Sequence, residues 1–275
     1  MTEPPAAAPR LRIEPGSFYA ALALALKQGV PIASIIDLGC ADGNFSVTAR
    51  RMAPLAGATL LNIDAQTFYE SSLSRIQRVL GGHYRICAVA DRAGTTNLTT
   101  GAHPYWSSLR TPSDDYWRQH QGAYRETVPV PMHTLDDIVR DTGLPAPHLL
   151  KLDVQGAELS ALAGAPRTLA DTNLIIVETF VWDFGGIHRL ITDSGFALFD
   201  LTGLNRGADH RLAWFYPIYV HQRFGVAAPG PLWAPEHSSA VLANQDTHRA
   251  NQLRELDEIL GPLEAARAAT RSDET

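Results

Sequence analysis

The sequence predicts an α/β domain built on a mainly parallel sheet with helices on both faces. Short apolar runs, which are typical of strands buried on both sides, alternate along the chain with segments of helical periodicity. Several of these runs end in an acid, namely Asp64, Asp91, Asp153 and Glu178. Because ligands bind beyond the carboxyl ends of the strands in open α/β sheets, these acids indicate a site at one sheet edge.

The predicted elements follow one another in a regular order. Seven strands are expected at residues 34–38, 58–63, 83–89, 148–152, 173–177, 196–201 and 212–220. A first helix is expected after Ser17 and ends at residue 28. Further helices are expected at 45–52, 68–80, 135–141, 157–170 and 186–193. Ser17 and Thr134 are the predicted caps of two of these helices, because each hydroxyl immediately precedes a helical segment.

Composition divides the chain into a tail, a main domain and an extension. Residues 1–15 are a Pro- and Ala-rich tail, and residues 16–221 form the domain. Residues 99–128 break its rhythm with a polar, aromatic insertion. Residues 222–275 are a linker followed by a helix with one apolar stripe. This stripe suits packing on the same domain or pairing in a homodimer, and the sequence leaves both open.

Charge and composition exclude several classes of partner. The formal net charge is -6, which gives no reason to expect a nucleic-acid partner, because phosphate binding requires a basic face. The apolar run at residues 18–26 is shorter than the roughly 20 residues that a membrane span needs. Two cysteines are too few for a disulfide framework. We therefore expect a soluble, cytoplasmic protein that binds neither nucleic acid nor membrane.

The turn Gly39-Cys40-Ala41-Asp42-Gly43 lies between a predicted strand and a predicted helix. It matches neither the G-x-G-x-x-G fingerprint of NAD sites nor a P-loop, so an NAD-dependent oxidoreductase is disfavoured. S-adenosylmethionine has no phosphate, so the loop that binds it need not be as tight as a loop that binds pyrophosphate. Asp64 follows this turn at the separation along the chain at which a carboxylate can accept hydrogen bonds from both ribose hydroxyls. Asp91 could reach the adenine amino group.

Taken together, the motifs resemble the FkbM family of methyltransferases. The matching segments are Ile-Asp-Leu-Gly-Cys-Ala-Asp-Gly-Asn-Phe-Ser at 36–46, His-Thr-Leu-Asp-Asp-Ile at 133–138, Leu-Lys-Leu-Asp-Val-Gln-Gly-Ala-Glu-Leu at 150–159 with Leu-Ala-Gly-Ala at 162–165, and Ile-Val-Glu at 176–178. The resemblance covers roughly residues 33–220, and its most specific motif is 150–159. The chain departs from the family at 40–42, where Ala-Asn is common, and in its C-terminal extension.

The resemblance implies a Rossmann-like class I methyltransferase fold and S-adenosylmethionine as cofactor. It also implies O-methylation of a hydroxyl on a sugar, a glycan or another secondary metabolite. The alternative is a non-catalytic binding or interaction module that has kept the fold. The expected cofactor-binding residues are Asp37, Gly39, Cys40, Ala41, Gly43, Asn44, Phe45, Asp64, Ala65, Asp91 and Asp153.

The candidate catalytic residues follow the fourth and fifth strands. An alcohol is a weak nucleophile, so a base or a metal ion must help to remove its proton. Asp153 is the first candidate base, Glu178 the second and His188 the third. Asp153 and Glu178 could instead hold Mg²⁺, and the sequence leaves these mechanisms open. Lys151 is expected to pair with an acid at the sheet edge.

The acceptor is expected to bind beside the aromatic insertion. Flat aromatic rings pack on sugar faces, and insertions at the ligand end of such sheets commonly carry specificity. The insertion could therefore form a lid over the acceptor, or a β-rich flap with a small core of its own. The expected acceptor-binding residues are Tyr105, Trp106, Ser107, Ser108 and Gln155.

Overall fold

The computed structural model describes residues 13–101, 107–109 and 124–225, together with 247, 249–250, 253–254, 258 and 260–262. The chain divides into two compact units, residues 1–227 and residues 228–275. The residues described in the second unit are all helical, in line with the helix expected there. Within the described residues, no helix combines the length and apolar character that crossing a bilayer requires.

The first unit contains eleven strands among its described residues. These are β1 (Ser34–Leu38), β2 (Thr59–Asp64), β3 (His83–Ile86), β4 (Ala88–Val89), β5 (Gly94–Gly101), β6 (Tyr124–His133), β7 (His148–Leu152), β8 (Thr172–Val177), β9 (Thr179–Phe180), β10 (Phe196–Arg206) and β11 (Leu212–His221). Its helices are α1 (Phe18–Lys27), α2 (Asn44–Arg50), α3 (Glu70–Leu80), α4 (Leu135–Thr142), α5 (Glu158–Ala163), α6 (Pro166–Ala170) and α7 (Phe184–Asp193).

The larger sheet has the order β10-β11-β8-β7-β1-β2-β3, and the short β9 also pairs with β11. The pairs β1–β2, β1–β7, β2–β3 and β7–β8 are parallel, whereas β11 runs antiparallel to β8 and β10. The structure thus confirms the mostly parallel seven-stranded sheet. Its carboxyl edge brings together the ends of β1, β2, β7 and β8.

Helices cover both faces of this sheet. On one face, α1 and α2 pack on a cluster that includes Ile35, Leu60 and Leu149. On the other face, α4, α5, α6 and α7 pack on a cluster that includes Ile36 and Leu150. Neighbouring residues of one strand point to opposite faces, which explains why these strands are apolar throughout. Ser17 and Thr134 accept from the backbone N–H of the residue three positions on, as their predicted capping roles require.

Two predicted elements are wrong in detail. The strand expected at 83–89 splits at Cys87, whose N–H bonds to the Asp64 carbonyl at 2.9 Å, and β4 then joins a second sheet of order β4-β6-β5. The helix expected at 157–170 is two helices, because Pro166 lacks the N–H that a continuous helix needs and starts α6 instead.

The second sheet contains two strands, β5 and β6, that are absent from the strands expected from the sequence. Antiparallel pairing of β5 with β6 runs from Gly94 opposite Met132 to Gly101 opposite Tyr124. These two strands contain the described ends of the aromatic insertion, at 99–101 and 124–128. The sequence left two alternatives for this insertion, a lid or a β-rich flap, and its described ends are β-strands. A backbone bridge between Thr99 and Ser108 returns the described segment 107–109 to this sheet.

Candidate active site

A cavity of about 1340 Å³ opens at the carboxyl edge of the larger sheet. Its floor is formed by the ends of β1, β2 and β7 and by Glu178, the residue after β8. Segment 107–109 and residues from β11 contribute to its walls. Of the predicted site residues, those that line it are Gly39, Cys40, Ala41, Asn44, Phe45, Asp64, Ala65, Ser107, Ser108, Asp153, Gln155 and Glu178.

The loop after β1 is held by backbone contacts with both neighbouring strands. The N–H groups of Gly39 and Cys40 donate to the carbonyl of Ile63 at 2.9 and 3.1 Å. On the other side, the Asp153 N–H donates to the Leu38 carbonyl at 2.9 Å. Gly39 has a φ of 73°, and a Cβ there would lie 1.9 Å from the Asp153 carbonyl oxygen. Only glycine fits this contact, so it sets how closely the loop approaches Asp153.

Asp64 connects the end of β2 to the same loop. One oxygen of its carboxylate accepts from the Ala41 N–H at 2.9 Å, and the other accepts from the Gln66 N–H at 2.9 Å. Burial raises the pKa of Asp64 to about 6, although both hydrogen bonds favour the charged form. At neutral pH the carboxylate is therefore mainly ionised, and it faces the cavity.

A buried cation lies at the cavity floor. The Nζ of Lys151 is 3.4 Å from Oδ1 of Asp37 and 3.3 Å from Oδ2 of Asp153. Burial alone would lower the pKa of Lys151, but the Asp153 and Asp37 carboxylates outweigh it and hold this pKa above its ordinary range. Lys151 therefore stays charged. Its pairing with acids at the sheet edge agrees with the sequence-based expectation.

Asp37 belongs to the frame of the site rather than to the cavity lining. It is completely buried, and Oδ2 accepts from the Ser46 N–H at 3.3 Å in the first turn of α2. Gly43 likewise lies outside the lining, with a φ of 75°. Both residues shape the loop between β1 and α2, and the structure places neither against the cavity.

Asp153 and Glu178 form a hydrogen-bonded pair. The Gln155 amide donates to Oδ1 of Asp153 at 3.0 Å and to Oε2 of Glu178 at 2.6 Å, and the Tyr216 hydroxyl donates to Oε1 of Glu178 at 2.8 Å. Burial and the nearby Asp153 charge raise the pKa of Glu178. Burial would also raise the pKa of Asp153, but Lys151, Glu178 and Gln155 together hold it below its ordinary value. At neutral pH Asp153 is thus the ionised member and Glu178 the neutral one.

Three predicted residues lie away from this arrangement or outside the described chain. Asp91 does not line the cavity, and its carboxylate pairs with Arg92 at 3.3 Å at an exposed position. The reason is the departure of β4 from the larger sheet, which carries Asp91 towards α5, where its N–H donates to Ser160. Tyr105 and Trp106 lie outside the described residues.

His188 also lies outside the cavity lining. It is on α7, where Nδ1 is 3.1 Å from the Tyr219 hydroxyl and the ring contacts Phe184. The structure thus gives His188 a packing role on the face opposite α1. Sequence reasoning missed Tyr216, which faces the cavity, because only the pairing of β11 with its neighbours brings its hydroxyl to Glu178.

The residues present do not fit the Mg²⁺ ion considered for Asp153 and Glu178. Among the described residues, no group of three or more His, Cys, Asp or Glu side chains is arranged to hold a metal. The oxygens of this pair already accept from Gln155 and Tyr216, and Lys151 supplies a positive charge beside Asp153. We therefore derive no step through a metal ion.

Comparison with known proteins agrees with the geometry. The model of the methyltransferase FkbM domain matches residues 37–200, which is more than half of the chain. The chain belongs to the FkbM methyltransferase family. The family is described as methyltransferases, which supports S-adenosylmethionine as its methyl donor. The resemblance read from the sequence motifs is thereby confirmed.

Among curated proteins, this FkbM-family chain is similar to the 2-O-methyltransferase NoeI of Sinorhizobium fredii. The two are 26% identical over 155 residues, which is 52% of this chain and 62% of that protein. The match therefore leaves more than a third of NoeI uncovered.

Among solved structures, this chain is similar to the following two. A methyltransferase FkbM from Methylobacillus flagellatus is 16% identical, with a TM-score of 0.44, over 69% of this chain and 44% of that one. Fibrillarin from Aeropyrum pernix, solved with S-adenosyl-L-methionine, is 14% identical, with a TM-score of 0.39, over 71% of this chain and 73% of that one.

The contact between Gly39 and Asp153 predicts that Gly39→Ala is damaging for steric reasons. Gly29→Ala is the matched control, because Gly29 also has a positive φ of 83° but nothing lies within 4 Å of its Cβ position. The control should lose about 1–2 kcal/mol of unfolding free energy from backbone strain alone. Gly39→Ala should lose about 3 kcal/mol or more, because overpacking is added to strain. Urea denaturation measures both, and equal losses would contradict the close approach.

Proposed function

We propose that the protein is an S-adenosylmethionine-dependent O-methyltransferase that acts on a hydroxyl of a sugar, a glycan or another secondary metabolite. The observation that carries this proposal is Asp153, an ionised carboxylate at the cavity floor beside the loop after β1. A hydroxyl acceptor must lose a proton, and a carboxylate at this place can receive it. Similarity to a protein named as a 2-O-methyltransferase supports the choice of oxygen.

The cavity residues fit the proposed cofactor. Asp64 is an ionised acceptor at the end of β2 and suits the two hydroxyls of a ribose. The wall beside it, from Cys87, Ala88, Val89 and Leu98, is apolar and suits a flat purine ring. Asp91 has no part in this arrangement. When bound, S-adenosylmethionine supplies an electrophilic methyl group on a positively charged sulfur.

Asp153 is the proposed base. A hydroxyl oxygen that gains a methyl group becomes strongly acidic while it still holds its proton. Even a carboxylate of lowered pKa can therefore accept this proton, provided that it is in place as the C–O bond forms. The charges balance, because the sulfonium loses its positive charge and Asp153 ends protonated. Lys151 keeps Asp153 ionised beforehand.

Glu178 has a different role in this mechanism. As a neutral acid it donates a hydrogen bond to Asp153 and accepts one from Tyr216. It therefore orients Asp153 and does not compete with it for the proton of the acceptor. Placing a second full negative charge beside Asp153 would be unfavourable, because Glu178 is buried and Asp153 is only partly exposed to water.

The ribose contact predicts how cofactor affinity responds to Asp64→Asn. Loss of charge-assisted hydrogen bonds should weaken S-adenosylhomocysteine binding about tenfold or more in calorimetry. Asp91→Asn is the control and should bind as the wild type does. Because the pKa of Asp64 is about 6, wild-type affinity should fall as the pH drops below that value and Asp64 becomes protonated. The Asn variant should show no such fall. Unchanged affinity in Asp64→Asn would contradict the assignment.

The proposed division of roles predicts opposite outcomes for two isosteric variants. Asp153→Asn removes the base and should lower methyl transfer by about a hundredfold or more. Glu178→Gln should stay within about tenfold of the wild type, because an amide can still donate to Asp153 and accept from Tyr216 once the Gln155 amide rotates. The measurement uses methyl-labelled S-adenosylmethionine and a panel of mono- and oligosaccharides.

Product analysis in the same assay tests the acceptor atom. Label held as an alkali-stable methyl ether supports O-methylation, whereas label on nitrogen or carbon would overturn it. Normal S-adenosylhomocysteine binding without transfer to any acceptor would favour the non-catalytic module instead. Should Glu178→Gln lose activity as completely as Asp153→Asn, the assigned roles of the two acids are wrong.

A further inference from the structure

The cavity continues beyond the residues that the proposed reaction uses. Ligand pockets commonly enclose about 300–1,000 Å³, and this one encloses about 1340 Å³. The additional wall comes from the residues after β9, from the first half of β11 and from the turn between β10 and β11. This region lies on the Glu178 side of the cavity, away from Asp64. It is therefore the part available to an acceptor.

Strand β11 gives this region its length. Residues two apart in a strand share a face, and Tyr216, Trp214 and Leu212 all line the cavity. Tyr216 contacts Glu178 at one end of this row, and Leu212 pairs in register with Arg206 of β10 at the other. At about 3.4 Å per residue, the backbone at Leu212, where Arg206 pairs, lies roughly 14 Å along β11 from Tyr216. This distance exceeds the width of one sugar ring.

An aromatic side chain stands between the two ends. Trp182 is 51% exposed, and its ring is stacked on Phe180 with centroids 4.8 Å apart and planes 5° apart. The Val181 N–H donates to the Ala213 carbonyl at 3.0 Å, which ties this segment to β11. The stacked rings of Phe180 and Trp182 thus form part of the cavity wall. Such a surface suits the apolar face of a sugar or another flat ring.

The far end of the region carries an uncompensated positive charge. Three cations line the cavity among the described residues, and two of them pair with carboxylates: Lys151 with Asp37 and Asp153, and Arg211 with Asp209 at 2.7 Å. Arg206 has no carboxylate partner in the described part of the chain and donates only to the His210 carbonyl at 2.9 Å. A guanidinium has five N–H donors, so most of those on Arg206 are available to a ligand.

We propose that this region is an acceptor site for a molecule that carries an acidic group. The acceptor's carboxylate or phosphate binds Arg206, its ring lies on Trp182, and its reacting hydroxyl lies at Asp153. This inference rests on the proposed function, because it takes Asp153 as the place of reaction. It adds that the acceptor is anionic and longer than a monosaccharide.

Matched probes test the charge preference directly. Calorimetry with p-nitrophenyl β-D-glucoside, the corresponding glucuronide and the glucoside 6-phosphate compares a neutral, a carboxylate and a phosphate ligand on one scaffold. The wild type should bind at least one acidic probe about fivefold more tightly than the neutral one, as expected for a partly exposed ion pair. Which acid is preferred distinguishes a carboxylate from a phosphate acceptor.

Three variants locate the effect. Arg206→Ala should abolish the preference for the acidic probe, and Trp182→Ala should weaken all probes by a similar factor. Arg92→Ala, which removes an exposed cation outside the cavity, should change neither. Equal affinity for the neutral and acidic probes, absence of binding by every acidic probe, or a preference that survives Arg206→Ala would overturn the proposal.

The test separates this proposal from the proposed function. Each titration is run with and without saturating S-adenosylhomocysteine. Failure of S-adenosylhomocysteine to bind would count against the methyltransferase assignment of the cavity, whereas the dependence of probe binding on Arg206 is measured in either condition. Methyl transfer to a neutral acceptor, with no charge preference, would support the function and contradict the anionic acceptor.

Discussion

The ion pairs of the Lys151 ammonium with Asp37 and Asp153 are the interaction on which the rest of the site depends. It lies on β7, opposite Asp37 of the neighbouring β1, and contacts the carboxylates of both Asp37 and Asp153 in a buried position. Removing one partner of a buried ion pair typically costs about 3–5 kcal/mol, because the remaining charge is left without compensation. Here two acids would be left together. Asp37 in turn accepts from the Ser46 N–H in the first turn of α2, so the cation supports the loop as well as Asp153.

This arrangement explains why two acids at adjacent strand ends behave differently. Lys151 contacts Asp153, whereas Glu178 contacts Tyr216 and Gln155. The cation favours the ionised form of Asp153, and the resulting charge disfavours ionisation of Glu178. Two identical functional groups thus receive two roles from their surroundings. A proton acceptor and a hydrogen-bond donor that orients it then occupy the same cavity floor.

The features that the sequence predicts are those that depend on local residue pattern and on the order of the strands. The apolar strands, the loop at Gly39–Gly43, and the positions of Asp64, Asp153 and Glu178 all follow from residues that end strands of one parallel sheet. The position of Asp91 outside the cavity could not be predicted in this way, because it depends on the pairing of β4 with β6, some forty residues later in the chain. Tyr216 was also not predicted as a site residue, since only the antiparallel pairing of β11 brings it to Glu178. The residues do not fit the Mg²⁺ ion that the sequence left as an alternative, because Lys151 already places a positive charge beside Asp153.

A crystal structure with S-adenosylhomocysteine bound is the most direct test of the assignment of this cavity. We expect the ribose hydroxyls to contact Asp64, the adenine to lie against the wall formed by Cys87 and Ala88, and the sulfur to face Asp153. A ribose bound away from Asp64, or a sulfur directed away from Asp153, would contradict the central claim that this cavity is the site of methyl transfer.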